Sequence, residues 1–232
     1  MKISIIIPAF NEEKTIKQIV SKILSLKIKK KQIIIVDDCS TDQTKPILKK
    51  YFQSKVEKII FHKKNLGKGG SVRSAQKYAT GDIVIIQDAD LEYDPKDYKN
   101  LIKPIVQKKS NVVYGSRVLE KKRYNSKGFT SLSRIFFNHI LTLISNFLNN
   151  QNLTDAHTCY KVFSGKLFRK LRLVENDFAF CPEITSKISN MGEKIIEVPI
   201  SYRGRSTKDG KKIKFYDGIR AVYVLLKYRF VA

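Results

Sequence analysis

Three acidic residues, Asp88, Asp90 and Glu92, follow directly on a run of four apolar ones. The stretch reads Ile83-Val84-Ile85-Ile86-Gln87-Asp88-Ala89-Asp90-Leu91-Glu92-Tyr93-Asp94-Pro95. In an extended chain, residues two apart point to the same side, so the three carboxylates can converge. Gathered carboxylates repel one another unless a cation lies among them. An all-oxygen donor set suits Mg²⁺ or Mn²⁺. Taken alone, Asp-x-Asp is equally an ordinary polar loop after a strand.

Other polar groups recur at similar places. Asp37-Asp38 follows Ile33-Ile34-Ile35-Val36. That pair is either a solvated turn, with Ser40 or Thr41 capping the next helix, or a grip on ribose hydroxyls or a base edge. Asn11, Glu12 and Glu13 follow Pro8-Ala9-Phe10. Asn11 fits an N-cap and the glutamates fit a helix dipole, and either role is compatible with ligand binding. Asn65-Leu66-Gly67-Lys68-Gly69-Gly70-Ser71-Val72-Arg73 matches neither the dinucleotide fingerprint nor the Walker loop. A helix start flanked by Lys68 and Arg73 can still hold a phosphate. Arg117 closes the segment Asn111–Arg117, and cations crowd 201–212. His139 reads as a packed histidine.

The elements that would position these groups follow from the apolar pattern. Strands are expected at 3–7 (ended by Pro8), 33–36, 58–62 and 83–86, each followed by a helix. Asp94-Pro95 reads as N-cap and first helical residue. The order β-α-β-α-β-α-β predicts a parallel sheet with right-handed crossovers. Ligands of such sheets lie at the C-terminal ends of the strands. A further strand is expected at 111–117 and another at 195–200. A polar cluster, Thr154–Lys161, precedes an apolar stretch, and a helix ends at Met191-Gly192. A basic loop at 119–128 reads as mobile. Phe129–Leu148 reads as an amphipathic helix that covers the core, or else partly meets lipid. The last helix, 217–230, is basic and amphipathic.

The chain has 232 residues, with 45 Lys+Arg against 21 Asp+Glu and a net charge of +24. That length fits one large α/β domain. The charge attracts polyanions: nucleic acid, acidic lipid or phosphorylated substrates. Three scattered cysteines, Cys39, Cys159 and Cys181, fit reduced thiols in a cytosolic compartment. No signal peptide and no transmembrane helix is expected.

In order, Pro8–Glu13, Val36–Asp42, Asn65–Gly69, Asp88–Glu92 and Tyr114–Arg117 resemble glycosyltransferase family 2. The match is nearest to its dolichol- or polyprenyl-phosphate sugar transferases. Thr154-Asp155, Thr158–Lys161, Phe180 with Glu183, Glu197–Ile200, and Arg205 followed by Gly210–Ile213 also look like that branch. The resemblance implies an α/β, GT-A nucleotide-diphospho-sugar transferase fold. It has a mostly parallel central sheet flanked by helices. The catalytic domain would span 1–212, with 119–150 as basic loop plus amphipathic helix, and 213–232 would be a C-terminal amphipathic helix.

The resemblance also implies roles. Pro8, Ala9, Asn11, Glu13, Asp37, Asp38, Lys68, Arg73, Asp88 and Ala89 would hold the nucleotide. Asp88, Asp90 and Glu92 would hold Mg²⁺ or Mn²⁺, with Asp88 bridging to the nucleotide. Several relatives have Gln where this chain has Glu92. Arg117, Arg205 and Lys211 would clamp phosphates of donor and acceptor. Asp90, Arg117, Asp155 and Arg205 would be the catalytic set, with Asp155 orienting sugar or acceptor. The reaction would be inverting transfer from a UDP- or GDP-sugar to a polyprenyl or dolichyl phosphate. The enzyme would be cytoplasmic and peripheral, at the cytoplasmic face of a membrane, alone or with a membrane-anchor partner protein. A glycan or soluble acceptor is the alternative on the same fold. Nucleotidyl transfer is a further one, and a basic nucleic-acid-binding protein is the reading from another class. No nucleic acid is expected, because the acidic loops would face the same crevice as any bound strand.

Overall fold

The computed structural model describes residues 1–120, 132–205 and 215–231. A seven-stranded sheet forms its centre, in the order β3-β2-β1-β4-β6-β5-β7. The first half follows the alternation read from the sequence. β1 (Ile3–Ala9), β2 (Lys31–Asp37), β3 (Lys58–Phe61) and β4 (Ile83–Ile86) are parallel neighbours. They are joined by α1 (Ile16–Ser25), α2 (Thr44–Phe52) and α3 (Gly67–Gln76).

The runs of isoleucine are continuous because both sheet faces are covered. Ile5, Ile7, Ile33, Ile35, Ile83 and Ile85 pack on one face against Ile16, Ile19 and Ile23 of α1 and Leu101 of α4 (Tyr98–Val106). Ile6, Ile34, Val36, Val84 and Ile86 pack on the other, against Val72 and Ala75 of α3. Phe168 of α6 (Gly165–Lys170) and Phe180 and Ile184 of α7 (Phe180–Asn190) complete that layer.

β1 runs through Pro8, where the sequence pattern ended it. Ile6 offers its carbonyl to the Gln87 amide on the β4 side. Pro8 faces that same side two residues later, beyond the end of β4 at Ile86. Its missing N–H therefore costs no ladder bond. Helix α1 starts at Ile16, so Asn11 is not its cap.

The second half holds one strand absent from the sequence reading. β6 (Lys161–Ser164) is antiparallel to both β4 and β5 (Val112–Ser116). β7 (Ile195–Pro199) then pairs parallel to β5 at the sheet edge. Lys161 is fully buried in β6. Its ammonium donates to the carbonyls of Ala156 (3.0 Å) and Thr158 (2.8 Å) and lies 3.7 Å from the centre of the Tyr114 ring.

Helix α5 (Leu132–Asn149) is amphipathic, and of the two expected facings it has most of its apolar face turned outward. Thr142, Ser145 and Asn149 are buried, whereas Phe136, Phe137, Leu143 and Phe147 are exposed. The polar face hydrogen-bonds the domain. Asn138 donates to Asp155, Asn146 bonds both backbone groups of Leu153, and Thr142 accepts from the Ala156 amide. These polar anchors, together with buried Ile135 and Leu148, fix the helix rotation. Helix α8 (Phe215–Phe230) packs beside α5 and α7 and exposes Ile219, Tyr223, Leu226 and Phe230. No helix among the described residues is long and apolar enough to cross a membrane.

Candidate active site

A cavity of about 440 Å³ opens along the C-terminal edge of the parallel strands. Pro8 and Ala9 from β1, Asp38 after β2, and Asp88, Ala89, Asp90 and Glu92 after β4 line it. Lys68 from α3, Arg117 after β5, and Arg205 complete the set of expected residues that meet there. Because β6 is antiparallel, the residues before it, His157 and Cys159, reach the same edge.

Gln87 sets the end of β4. Its Oε1 accepts from the hydroxyls of Tyr98 (2.9 Å) and Tyr160 (2.6 Å), and its Nε2 donates to the Asp88 carbonyl (3.0 Å). Beyond it the chain turns at Ala89-Asp90, and Leu91 takes a left-handed φ of 63°. This turn breaks the extended spacing that would have converged the three carboxylates. Asp88 pairs with the ammonium of Lys68. Asp90 Oδ2 accepts from Arg205 Nη2 at 3.1 Å. Glu92 accepts from the Tyr202 hydroxyl (2.9 Å) and the Arg205 amide (2.7 Å). Among the described residues, no group of three or more His, Cys, Asp or Glu side chains is arranged to hold a metal.

Electrostatics separate the three acids. Burial pushes the Asp90 carboxyl up to about 7, the Asp88 and Glu92 charges add to this, and Arg205 opposes it. The surplus negative charge at Asp88 and Asp90 is the kind of oxygen-donor set that a divalent cation relieves. Glu92 also lines the cavity, and its two oxygens accept one hydrogen bond each, from Tyr202 and from the Arg205 amide. These bonds fasten the segment that carries Arg205. Tyr93 bridges to Tyr202 on the same segment.

Arg205 spans the site. Its guanidinium donates to both oxygens of Glu12, at 3.0 and 3.1 Å, as well as to Asp90. Glu12, rather than Asn11 or Glu13, is thus the acid of the first loop that reaches the cavity. Asn11, with φ of 51°, accepts from the Thr41 amide, and Glu13 accepts from the Gln43 amide. Both lace the first loop to the second and stay out of the cavity. Asp37 is also outside it: buried, with burial raising its carboxyl above the usual range against the pull of Ser40.

Within the chain, the glycine-rich loop is held by the Asp38 carboxylate and by close packing on residues 175–177. Asp38 accepts from the amides of Leu66 (2.8 Å) and Gly67 (2.7 Å) and takes His62 Nδ1 at 2.6 Å. The next amides, of Gly69 and Gly70, donate to the carbonyls of Asp177 and Asn176. A Cβ on Gly69 would lie 2.2 Å from the Glu175 carbonyl oxygen and 2.7 Å from Phe180 Cβ. Arg73 belongs to this same joint, donating to the Val174 carbonyl and the Asn176 side chain away from the cavity. Lys68 alone of the loop's cations reaches the cavity. It is half-buried, and Asp88 holds its pKa above the usual lysine value despite desolvation.

Arg117 is held from behind by Asp155, which is buried outside the cavity lining. Its Nε and Nη2 donate to the two carboxylate oxygens at 2.6 and 2.7 Å. Asn138 of α5 adds a third donor, and the amides of Thr154 and Asp155 are held by Glu197. Arg117 lies 5.2 Å from the centre of the Tyr202 ring. Lys211 lies outside the described residues, as does most of the basic loop expected at 119–128.

Glu12, His157, Cys159, Asp177 and Tyr202 line the cavity without having been singled out from the sequence. Four of them belong to the polar clusters at 11–13, 154–161 and 201–212; Asp177 carried no such signal. Asp177 sits on the loop before α7 and is tied to α8 through Arg220.

Comparison with known proteins agrees with this architecture. The family model described as Glycosyl transferase family 2 matches residues 4–172. A protein of Methanococcus voltae named UDP-N-acetylglucosamine–dolichyl-phosphate N-acetylglucosaminyltransferase is 30% identical over 244 residues, covering 97% of this chain and 94% of that protein. A Pyrococcus furiosus dolichol-phosphate mannosyltransferase is 27% identical, covering 98% of this chain and 64% of that protein. Glucosyl-3-phosphoglycerate synthase of Mycobacterium tuberculosis, solved with Mn²⁺ and UDP-glucose, shares the fold with a TM-score of 0.73 at 18% identity, covering 98% of this chain and 78% of that one.

Proposed function

This chain belongs to glycosyl transferase family 2, and from that premise we propose that it moves a sugar from a UDP- or GDP-sugar to a polyprenyl or dolichyl phosphate. The observation that carries this reading is the placement of Asp88 and Asp90 between Lys68 and Arg205, mid-cavity at the strand ends. Similarity to transferases named for dolichyl phosphate supports the acceptor class.

In this reaction the acceptor phosphate oxygen bonds to the anomeric carbon as the bond from that carbon to the nucleoside diphosphate breaks. Configuration inverts, and the electron pair leaves on the diphosphate. Lys68 and Arg205 exchange their carboxylate partners for that growing charge. Asp88 and Asp90 would hold Mg²⁺ or Mn²⁺, which supplies further charge neutralisation when bound. Asp38, Pro8 and Ala9 lie at the nucleoside end. Arg117, fixed by Asp155, receives the acceptor phosphate. A phosphate monoester is already anionic, so positioning matters more than a general base.

The exposed phenylalanines of α5 beside the apolar face of α8, on a chain of net charge +24, suit an anionic bilayer that carries the acceptor. Contact is peripheral, directly or through a membrane-anchor protein. The test is transfer of radiolabelled sugar from UDP-glucose, UDP-N-acetylglucosamine and GDP-mannose to polyprenyl phosphate in vesicles, with and without Mn²⁺. Labelled lipid that depends on the metal is the expected result. Transfer only to a water-soluble acceptor such as phosphoglycerate would overturn the lipid assignment.

A further inference from the structure

The cavity follows the strand order of the sheet. Asp38 and Pro8 mark the β2–β1 end, Asp88 and Asp90 the β4 position, and Arg117 and His157 the far end, over β5 and β6. A nucleotide sugar laid along it, nucleoside first and diphosphate at the acidic pair, brings its sugar to that far end. His157 is the one imidazole among the described cavity residues. Its Nε2 is buried and meets no hydrogen-bond partner among the described residues. Burial holds the ring neutral, and with its proton on Nδ1 the Nε2 is a bare lone pair. A buried acceptor without a donor is costly, and so points to a ligand that supplies one.

We propose that His157 is a specificity-determining residue of the donor site, accepting at Nε2 a hydrogen bond from a hydroxyl of the transferred sugar. This rests on the glycosyl-transfer reading above. The acceptor phosphate is excluded as the partner, because its oxygens present lone pairs where Nε2 presents its own. Protonation does not rescue that contact: burial pushes the imidazole down to about 4, with Lys161 and Arg117 acting in the same direction. The same low basicity excludes a general-base role near neutral pH.

The test measures binding of UDP, GDP, UDP-glucose, UDP-N-acetylglucosamine and GDP-mannose, each with Mn²⁺, to the parent chain and to His157→Ala and His157→Gln. His157→Ala is expected to weaken the best nucleotide sugar by about tenfold while leaving its nucleoside diphosphate within about twofold. His157→Gln, whose Oε1 accepts, restores most of the loss. One monodeoxy analogue of the best sugar binds the parent and His157→Ala equally, which a merely structural role would not produce. Equal weakening of nucleotide and nucleotide sugar, or no weakening of either, overturns the assignment and leaves the glycosyl-transfer reading standing. Failure of every nucleotide sugar to bind the parent overturns both.

Discussion

Asp155 grips Arg117 at two points, with Nε to Oδ2 at 2.6 Å and Nη2 to Oδ1 at 2.7 Å. The pair is bidentate and the acid fully buried, so the fork of Arg117 has one orientation. Asp155→Asn keeps the volume and removes the charge. It is expected to lower stability by about 3–5 kcal/mol, as for a broken buried ion pair. Transfer activity should fall by about a hundredfold through misplacement of Arg117. Denaturant unfolding and the vesicle assay measure the two effects. Unchanged unfolding would show that the pair carries no structural weight.

Asp90 and Glu92 are two residues apart but do different work. Asp90→Asn should reduce metal-dependent transfer by about a hundredfold or more. Glu92→Gln keeps an acceptor for the Arg205 amide and turns an NH2 donor to the Tyr202 oxygen, so activity should stay within about fivefold. Equal losses in the two variants would return Glu92 to the metal-binding set. Mn²⁺ titration followed by enhancement of water proton relaxation reads the same difference without turnover.

Stability should carry the signature of His157. The folded imidazole protonates only near 4, against an ordinary value of 6.5. Between these values the unfolded chain binds the extra proton and the folded chain does not. Stability therefore falls as pH drops from about 6.5 towards 4, by about 3 kcal/mol for this group alone. His157→Gln should flatten that part of the curve relative to the parent. Parallel curves would mean that the histidine is solvated in the fold.

The outward face of α5 should govern lipid contact. Leu143→Glu with Phe147→Glu is expected to weaken sedimentation with anionic vesicles by at least about tenfold. Melting should barely change, because both side chains are exposed in the fold. Raised salt should weaken the parent's binding further. Undiminished binding by the double variant would place the membrane surface elsewhere.

The first half of the fold was legible because runs such as Ile33–Val36 and Ile83–Ile86 carry an unambiguous period and end in polar clusters. β6 was not, since Lys161 in a fully buried position contradicts a strand until Ala156, Thr158 and Tyr114 are seen around it. The sequence left open whether the apolar face of α5 covers the core or points outward, and most of it points outward. The deciding bonds run from Asn138, Thr142 and Asn146 to residues 153–156. The acidic stretch was found, but the left-handed Leu91 that disperses it has no signature in residue type. Glu12 and Glu13 are chemically identical in sequence, and only the bend at Asn11 decides which faces the cavity. Likewise the glycines at 67 and 69 gave no hint that they pack against residues 175–177, about a hundred positions away.

That constraint has a dimensional effect. The backbone at 175–177 approaches α3 so closely that Gly69 has no room for a methyl group, and the same loop presents Asp177 and Phe178 to the cavity. Two absent side chains, at 67 and 69, therefore act as a calliper that sets the cleft's width. A single added carbon at either position would widen the jaw while leaving every residue that touches the donor unaltered in kind.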